Sequence, residues 1–318
     1  MARFLLNRLG QSVLLLLGVS VIGFALMHLA PGGPMAVYTL NPTVTAQDIE
    51  RVKHQFGLDQ PVYVQYVKWA GGMLTGHWGY SFFGGRPVGI IVLERIPATL
   101  ELMGSSMALA LFIGIAIGVL AAVRRNSVFD YATATAAMLA LSLPTFWFGL
   151  LGIFFFAQTL GWLPAGGIES TGGGGLPDRL QHLLLPMLVL AFVLVAKWSR
   201  YTRSAMIDIL GQDYMRTARA KGLSPARVLL GHGLRAALVP LVTLAGLQLP
   251  ELVGGALVTE TVFSWPGMGL LFVNALGTRD YPVLMAILMV GALVVVLGNL
   301  VADVVTALID PRIKLAHA

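Results

Sequence analysis

The chain has 318 residues, of which 57% are hydrophobic and 11% charged, at a mean hydropathy of +0.79. A soluble domain carries roughly 25% charged residues, so this chain lacks the polar surface to solvate a globule of its length; a soluble enzyme, a nucleic-acid-binding protein and a disordered chain are excluded. The net charge of +6 comes with no cysteine, which removes disulfides, thiolate metal sites and a cysteine nucleophile.

Six apolar stretches lie near the ~20 residues that a bilayer core requires: 9–30, 98–123, 132–160, 183–198, 236–262 and 282–308. The first follows Arg3 and Arg8, as a signal peptide would, but its apolar run is too long for a signal and no A-x-A site follows, so it reads as a retained first span. The polar segment 31–97 carries its own helix signals. Thr45-Ala-Gln-Asp48 has the form of a capping box, with Ile49, Val52 and Phe56 at helical spacing and Gly57 as a stop. Pro61 opens a second short helix with Val62, Tyr66, Trp69 and Met73 on one face. In the next span, Ala110, Gly114 and Gly118 form a small-residue ridge suited to close helix packing. Further on, Gly172 to Gly175 read as a turn, since neither a preceding strand nor a following helix is indicated for a phosphate cradle.

Six spans put both termini on one side, and the basic residues choose it. Arg3, Arg8, Arg124, Arg125, Arg312 and Lys314 share that side with Lys197, Arg200, Arg203, Arg216, Arg219, Lys221, Arg227 and Arg235, on or beside the fourth-to-fifth loop. Short basic loops face the cytoplasm. The expected organisation is an N-terminal tip and first helix over 1–30, an outer subdomain over 31–97, a helical core over 98–308 with an inner loop over 199–235, and a cytoplasmic tail over 309–318.

That inner loop carries the most information. It is helix-prone from Asp213 through Tyr214, Arg216, Thr217, Ala218, Arg219 and Ala220 to Lys221; Gly222 suits the left-handed residue after a helix, and Leu223 leads to Ser224 and Pro225, an N-cap and first-turn pair that starts another helix. A solvated basic loop would satisfy the charge rule alone. A stiff helix–turn–helix joined to spans at both ends could also carry motion from a soluble partner.

The segment from Asp213 to Pro225 resembles the EAA loop of ABC importer permeases, most closely their dipeptide/oligopeptide/nickel branch. The resemblance extends along the chain through Ala30-Pro-Gly-Gly-Pro34, Phe56 to Tyr66, Glu94 to Glu101, Ser142-Leu-Pro-Thr-Phe146, Thr259 to Gly269 and Arg279-Asp-Tyr-Pro282. It implies an all-α permease of the type I importer fold. It also implies a second homologous permease as partner, two cytoplasmic ATPase subunits that bind ATP and magnesium, and an extracytoplasmic substrate-binding protein. The inner loop would be the coupling helix docking on an ATPase. Where the general motif has Glu-Ala-Ala, this chain has Arg216-Thr217-Ala218, a variation of the peptide branch. No G-x-x-x-x-G-K-[ST] occurs, because none of the lysines follows a glycine, so nucleotide binding is expected on another protein.

Glu251, near the middle of the fifth span and next to Pro250, is a candidate for the translocation pathway, or else for a structural hydrogen bond. Ser142 and Pro144 mark a kink in the third span that serves either as a hinge or as an ordinary membrane-helix proline. Glu260 and Glu101 lie near outer span ends, where hydration explains them more simply, though Glu260 stays a pathway candidate. Trp265-Pro266-Gly267-Met-Gly269 reads as an outer gate, a binding-protein contact, or an interfacial anchor and turn. The six histidines are scattered without an i, i+4 pair, so no metal site is expected. Cargo implied by the resemblance is a short peptide, with a nickel chelate, glutathione or another small solute as alternatives. A secondary transporter or channel would show an internal repeat and buried ion ligands, and no repeat is evident.

Overall fold

A backbone in hydrocarbon must satisfy its polar groups within each helix. Helices accordingly dominate the computed structural model, which describes residues 2–33, 44–55, 57–254 and 257–309. In chain order they are α1 (Ala2–Leu29), α2 (Ala46–Gln55), α3 (Val62–Thr75), α4 (Val88–Val123), α5 (Val128–Ser142), α6 (Thr145–Gly152), α7 (Gly175–Leu210), α8 (Asp213–Ala220), α9 (Arg235–Gly254), α10 (Leu257–Val262), α11 (Met268–Thr278) and α12 (Tyr281–Ile309). Four helices are long and apolar enough to cross a bilayer: Arg8–Leu29 within α1, all of α4 and α7, and Tyr281–Val301 within α12. A bent pair of shorter helices is a fifth candidate.

That pair turns the kink expected in the third span into a full break. α5 ends at Ser142, and α6 with its π-wound continuation Ile153–Thr159 leaves at 98° to it. Pro144 sits at the break as the residue before α6, with extended ψ of 129° and no N–H to give to the preceding turn. The chain nevertheless passes from one face of the molecule to the other here. Asp130, in the first turn of α5, is tied to Arg203 near the basic end of α7, while Gly167 donates its N–H to the Phe263 carbonyl at the opposite end.

The second span also begins earlier than its apolar run suggests. Helix α4 starts at Val88 and carries Pro97 inside it, so the last ten residues of the segment expected to form the outer subdomain are membrane helix. Pro97 ends no helix because it removes one hydrogen bond, whereas the flanking turns remain buried among Val92, Ala98 and Leu102. Helix α7 likewise runs well past the 183–198 stretch at both ends.

α4 and α7 pack along the predicted small-residue ridge. A Cβ on Gly114 would lie 2.7 Å from Trp198 Cβ, and one on Gly118 would lie 2.5 Å from Thr202 Cβ and 2.6 Å from the Ser199 carbonyl oxygen. Between membrane helices, where lipid is as apolar as leucine, such close approach supplies the packing energy. Beside this pair, Met107, Leu194 and Trp198 pack with Leu241 of α9.

At the end opposite the basic loop, helix α3 lies along α1. Ser20 Oγ and Tyr66 Oη are 2.9 Å apart, His28 Nε2 and Gln65 Oε1 are 3.0 Å apart, and Phe24 meets the rings of Tyr66 and Trp69. The expected helix after Pro61 is present, and Pro61 stands just before it as cap. Asp280 then fastens the outer segment to the start of α12: its carboxyl accepts from Ser81 Oγ and from the Phe82 N–H.

Candidate functional site

At the basic end, the loop between α7 and α9 is a compact helix hairpin. α8 spans Asp213–Ala220, Gly222 takes φ +75°, and the chain restarts at Pro225, with the Val228 N–H bonded to the Ser224 carbonyl at 3.0 Å. Stop and restart fall where the glycine and the Ser-Pro pair placed them. From 225 the helix runs through a π-wound stretch, Arg227–Leu234, straight into α9. No loop separates the hairpin from α9.

The hairpin has two faces. Met215, 0% exposed, and Ala218, 8% exposed, pack on Val228 with Ile209, Leu210 and Leu223. Ala218 is therefore corrected from docking surface to internal packing, since its methyl group meets the chain's own body. Asp213, Tyr214, Arg216, Thr217, Arg219, Ala220, Lys221, Gly222, Ser224 and Pro225 are exposed, and Leu223 is half-buried. Arg216 and Asp213 make only an exposed contact of 3.6 Å, so the presented face keeps several cationic side chains free to meet a partner. The inward face is what makes α8 rigid; the outward face is what a partner would meet.

One ion pair steadies this end. Arg203 Nε and Nη2 reach the Asp130 carboxyl at 2.5 and 2.7 Å, joining the last turns of α7 to the start of α5. Asp130 also accepts from the Asn126 N–H at 3.0 Å, and Ser127 caps α5 by accepting from the Asp130 N–H. Sequence reading missed this pair; the buried acid in the first turn of an apolar helix was the signal available for it.

At the opposite end, the segment from Glu260 to Gly269 is a latch. Helix α11 begins after Gly267, which has no side chain to cap it. Its first three N–H groups are satisfied from other elements instead: Met268 donates to Thr99 Oγ1 at 2.7 Å, and Gly269 and Leu270 donate to Glu260 Oε2 at 2.7 and 3.1 Å. Thr99 Oγ1 in turn donates to Glu260 Oε1 at 2.9 Å, which ties α4, α10 and α11 together. The glycines are required by proximity. A Cβ on Gly267 would lie 2.4 Å from Glu260 Oε2, and one on Gly269 would lie 2.6 Å from Leu257 Cα.

These contacts revise two expectations. Glu260 is 0% exposed and fully engaged, so it is a structural acceptor and not a hydrated pathway group. Trp265 is 0% exposed as well, packed with Ala98, Leu102 and Leu183 and donating its indole N–H to the Ala98 carbonyl at 2.8 Å. An exposed interfacial anchor is thus replaced by a plug inserted between α4 and α7. Pro266 is half-buried, its carbonyl 3.4 Å from Arg95 Nη1.

The other candidates are scattered. Ser142 is exposed and returns its hydroxyl to the Met138 carbonyl at 2.8 Å. Glu101 is paired with Arg179, with Nε–Oε1 2.9 Å and Nη2–Oε2 2.5 Å, which replaces simple hydration. The backbone of Glu251 lies in α9, and its side chain falls outside the described residues. The Gly172–Gly175 run does precede a helix, contrary to expectation, and an acid already occupies that place: Asp178 accepts from Ser170 N–H at 2.7 Å and Ser170 Oγ at 2.6 Å. No cluster of three metal-ligating side chains occurs among the described residues.

Long apolar helices, a basic helix hairpin at one end and the Glu260 latch at the other make this a polytopic membrane protein. Comparison with known proteins identifies the kind. The chain belongs to the family described as "Binding-protein-dependent transport system inner membrane component", whose model matches residues 114–315, while the model of the family's N-terminal region matches 1–103. It is thus an ABC-type permease subunit of the inner membrane, a multi-pass transport component and not an enzyme. Relatives include the oligopeptide transport system permease protein AppB of Bacillus subtilis, 45% identical over 99% of this chain and 100% of that protein. The di/tripeptide permease protein DppB of Pseudomonas aeruginosa is 40% identical and the glutathione permease protein GsiC of Escherichia coli 41% identical, each over 99% of both chains. Among solved structures, a chain of the inward-facing MetNI methionine ABC transporter superposes with a TM-score of 0.57 at 20% identity, over 71% of this chain and 99% of that one, a likeness of fold.

Proposed function

We propose that this chain forms half of the translocation pathway of an importer for di- and oligopeptides. Its partners in this reading are a second homologous permease, two ATPase subunits on the cytoplasmic side and an extracytoplasmic substrate-binding protein. The chain would span the bilayer six times, by α1, α4, the broken pair α5–α6, α7, α9 and α12, with both termini cytoplasmic. The passage from the Asp130 end to the Gly167 end supports counting the broken pair as one crossing, and α9, at 20 residues, is about 30 Å long. The peptide cargo rests on the relatives' names; glutathione remains the alternative favoured by a relative of equal coverage.

The observation that carries the mechanism is the hairpin around Gly222. Its outward face, from Asp213 to Pro225 apart from Ala218, docks on an ATPase that holds ATP and magnesium; its inward face keys it to the end of α7 and to the π-wound stretch that leads into α9. Closure of the ATPase pair would push the hairpin as a rigid piece and tilt α9 toward an outward-open state. ATP must bind the two arrangements with different affinity for this to drive anything. Affinity purification of the tagged chain from its native membrane should recover a second permease and an ATPase, with the ATPase lost in Gly222→Asp while the permease pair persists. A stable wild-type preparation free of any ATPase would refute the reading.

A further inference from the structure

Two cavities on the flank formed by α1, α3 and α12 have Trp69 as a common wall. The first, of about 310 Å³, is apolar and lies between the α1 face carrying Val13, Leu16 and Ser20 and the α3 face carrying Trp69, Ala70 and Met73. Its hydroxyls, Ser20 and Tyr66, are bonded to each other and ask for no polar ligand. The second, of about 420 Å³, is also lined by Trp69 and is walled on the outer segment's side by Trp78, Tyr80 and Phe82. Among the described residues, Lys68 and His77 line it and no carboxylate does. Lys68 has no ion-pair partner among the described residues, and His77 uses Nδ1 toward Thr75 Oγ1 at 3.1 Å.

The surroundings point to what fills this cleft. Helix α3 buries none of its residues completely, and beyond the face turned to α1 it also exposes Val62, Tyr63, Val67 and Leu74, the last at 89%. Across the cleft, Val13 and Leu17 of α1 are more than half exposed. A helix apolar on both sides, with Lys68 as its one charged residue, is at home in the leaflet and not above it. Aromatic side chains beside a cation mark the level of the headgroups.

We infer that this cleft is a binding site for one anionic phospholipid, its acyl chain along the groove between α1 and α3 and its phosphate at Lys68 and His77. Apolar walls that lead to aromatic rings and an unpaired cation match the chain and the anionic headgroup of a lipid, whereas an apolar helix laid in the same place would leave Lys68 without a counter-charge. The site is separate from both the basic hairpin and the Glu260 latch, and it stands whether or not the cargo is a peptide. It would hold α3 against α1 and so position the outer segment that Asp280 fastens to α12.

The test uses the intact transporter in nanodiscs made with phosphatidylcholine, titrated with phosphatidylglycerol of the same chains and read by native mass spectrometry after detergent release. The wild type should retain one phosphatidylglycerol in preference to phosphatidylcholine. Lys68→Gln should weaken retention about fivefold, the weight of one lysine near a membrane surface, and Ala70→Trp, which fills the groove, should abolish it with subunit composition unchanged. Glycerol 3-phosphate, the headgroup without chains, should not compete. Equal retention of the two lipids, retention unaltered in both variants, competition by glycerol 3-phosphate, or a protein cross-linked from a photoreactive residue at position 70 would each overturn the assignment.

Discussion

Replacing Glu260 with alanine removes the acceptor that two helix-starting N–H groups and the Thr99 hydroxyl depend on. Thr99 can rotate, and it still accepts from the Met268 N–H. The Gly269 and Leu270 N–H groups cannot, because Gly267 offers no side chain in exchange and Gly269 is buried. Each stranded donor costs about 1–3 kcal/mol, so the latch should weaken by about 2–6 kcal/mol. Glu260→Gln keeps a carbonyl oxygen for both N–H groups and should cost no more than about one neutral hydrogen bond, about 1 kcal/mol. Hydrogen exchange on the purified transporter, read over the peptide covering 263–272, separates these outcomes. Even the lower bound corresponds to exchange faster by about thirtyfold in Glu260→Ala, against a several-fold change in Glu260→Gln. Exchange at Gly269 and Leu270 within threefold of wild type in the alanine variant would refute the capping role, whatever happened to transport.

Three further outcomes follow from the geometry. Gly118→Ala places a methyl group against Thr202 and the Ser199 carbonyl and should destabilise the α4–α7 pair by about 1–3 kcal/mol, lowering the melting temperature in detergent; Gly104→Ala, with open space around it, should not. Asp130→Asn leaves Arg203 facing a neutral partner and should cost about 1–3 kcal/mol, discounted because the arginine is one-third exposed; protease cleavage between 211 and 224 should rise, and the reversed pair should not restore a 2.5 Å contact. At Gly222, the φ of +75° is open to asparagine but strained for valine, so peptide-stimulated ATPase activity should fall in the order Gly, Asn, Val while expression stays level.

Local chemistry was legible in the sequence, and long-range pairing was not. The hairpin could be placed to the residue because a left-handed glycine and a Ser-Pro start act within a few positions of themselves. The helix after Pro61 and the ridge at Gly114 and Gly118 were readable for the same reason: each is a pattern inside one helix. Glu260 was misjudged because its donors come from Thr99, 161 positions away, and from a helix start that a bare glycine does not announce. Trp265 followed the usual habit of tryptophan near a membrane surface, whereas its indole finds the Ala98 carbonyl 167 positions earlier. Prolines misled in both directions. Pro97 lies inside a continuous helix whose packing overrides it, while Pro144, taken for a kink, marks a turn of 98°.

The two ends of the molecule divide the work. The latch at Glu260 and the plug at Trp265 fix α10 and α11 against α4 and α7, while the hairpin at Gly222 leads without interruption into α9. In the proposed mechanism, motion entering at the basic end would reach the opposite end through α9, past the close-packed α4–α7 pair.

The central claim, that the outward face of α8 docks on an ATPase, is tested most directly by a photoreactive benzoylphenylalanine at Tyr214, illuminated in native membranes. Cross-linking should join this chain to an ATPase subunit, with a yield that changes when ATP is trapped, and the same probe at Phe112, exposed on α4 away from the hairpin, should give no such product. Cross-links from position 214 to lipid or to this chain alone would contradict the account.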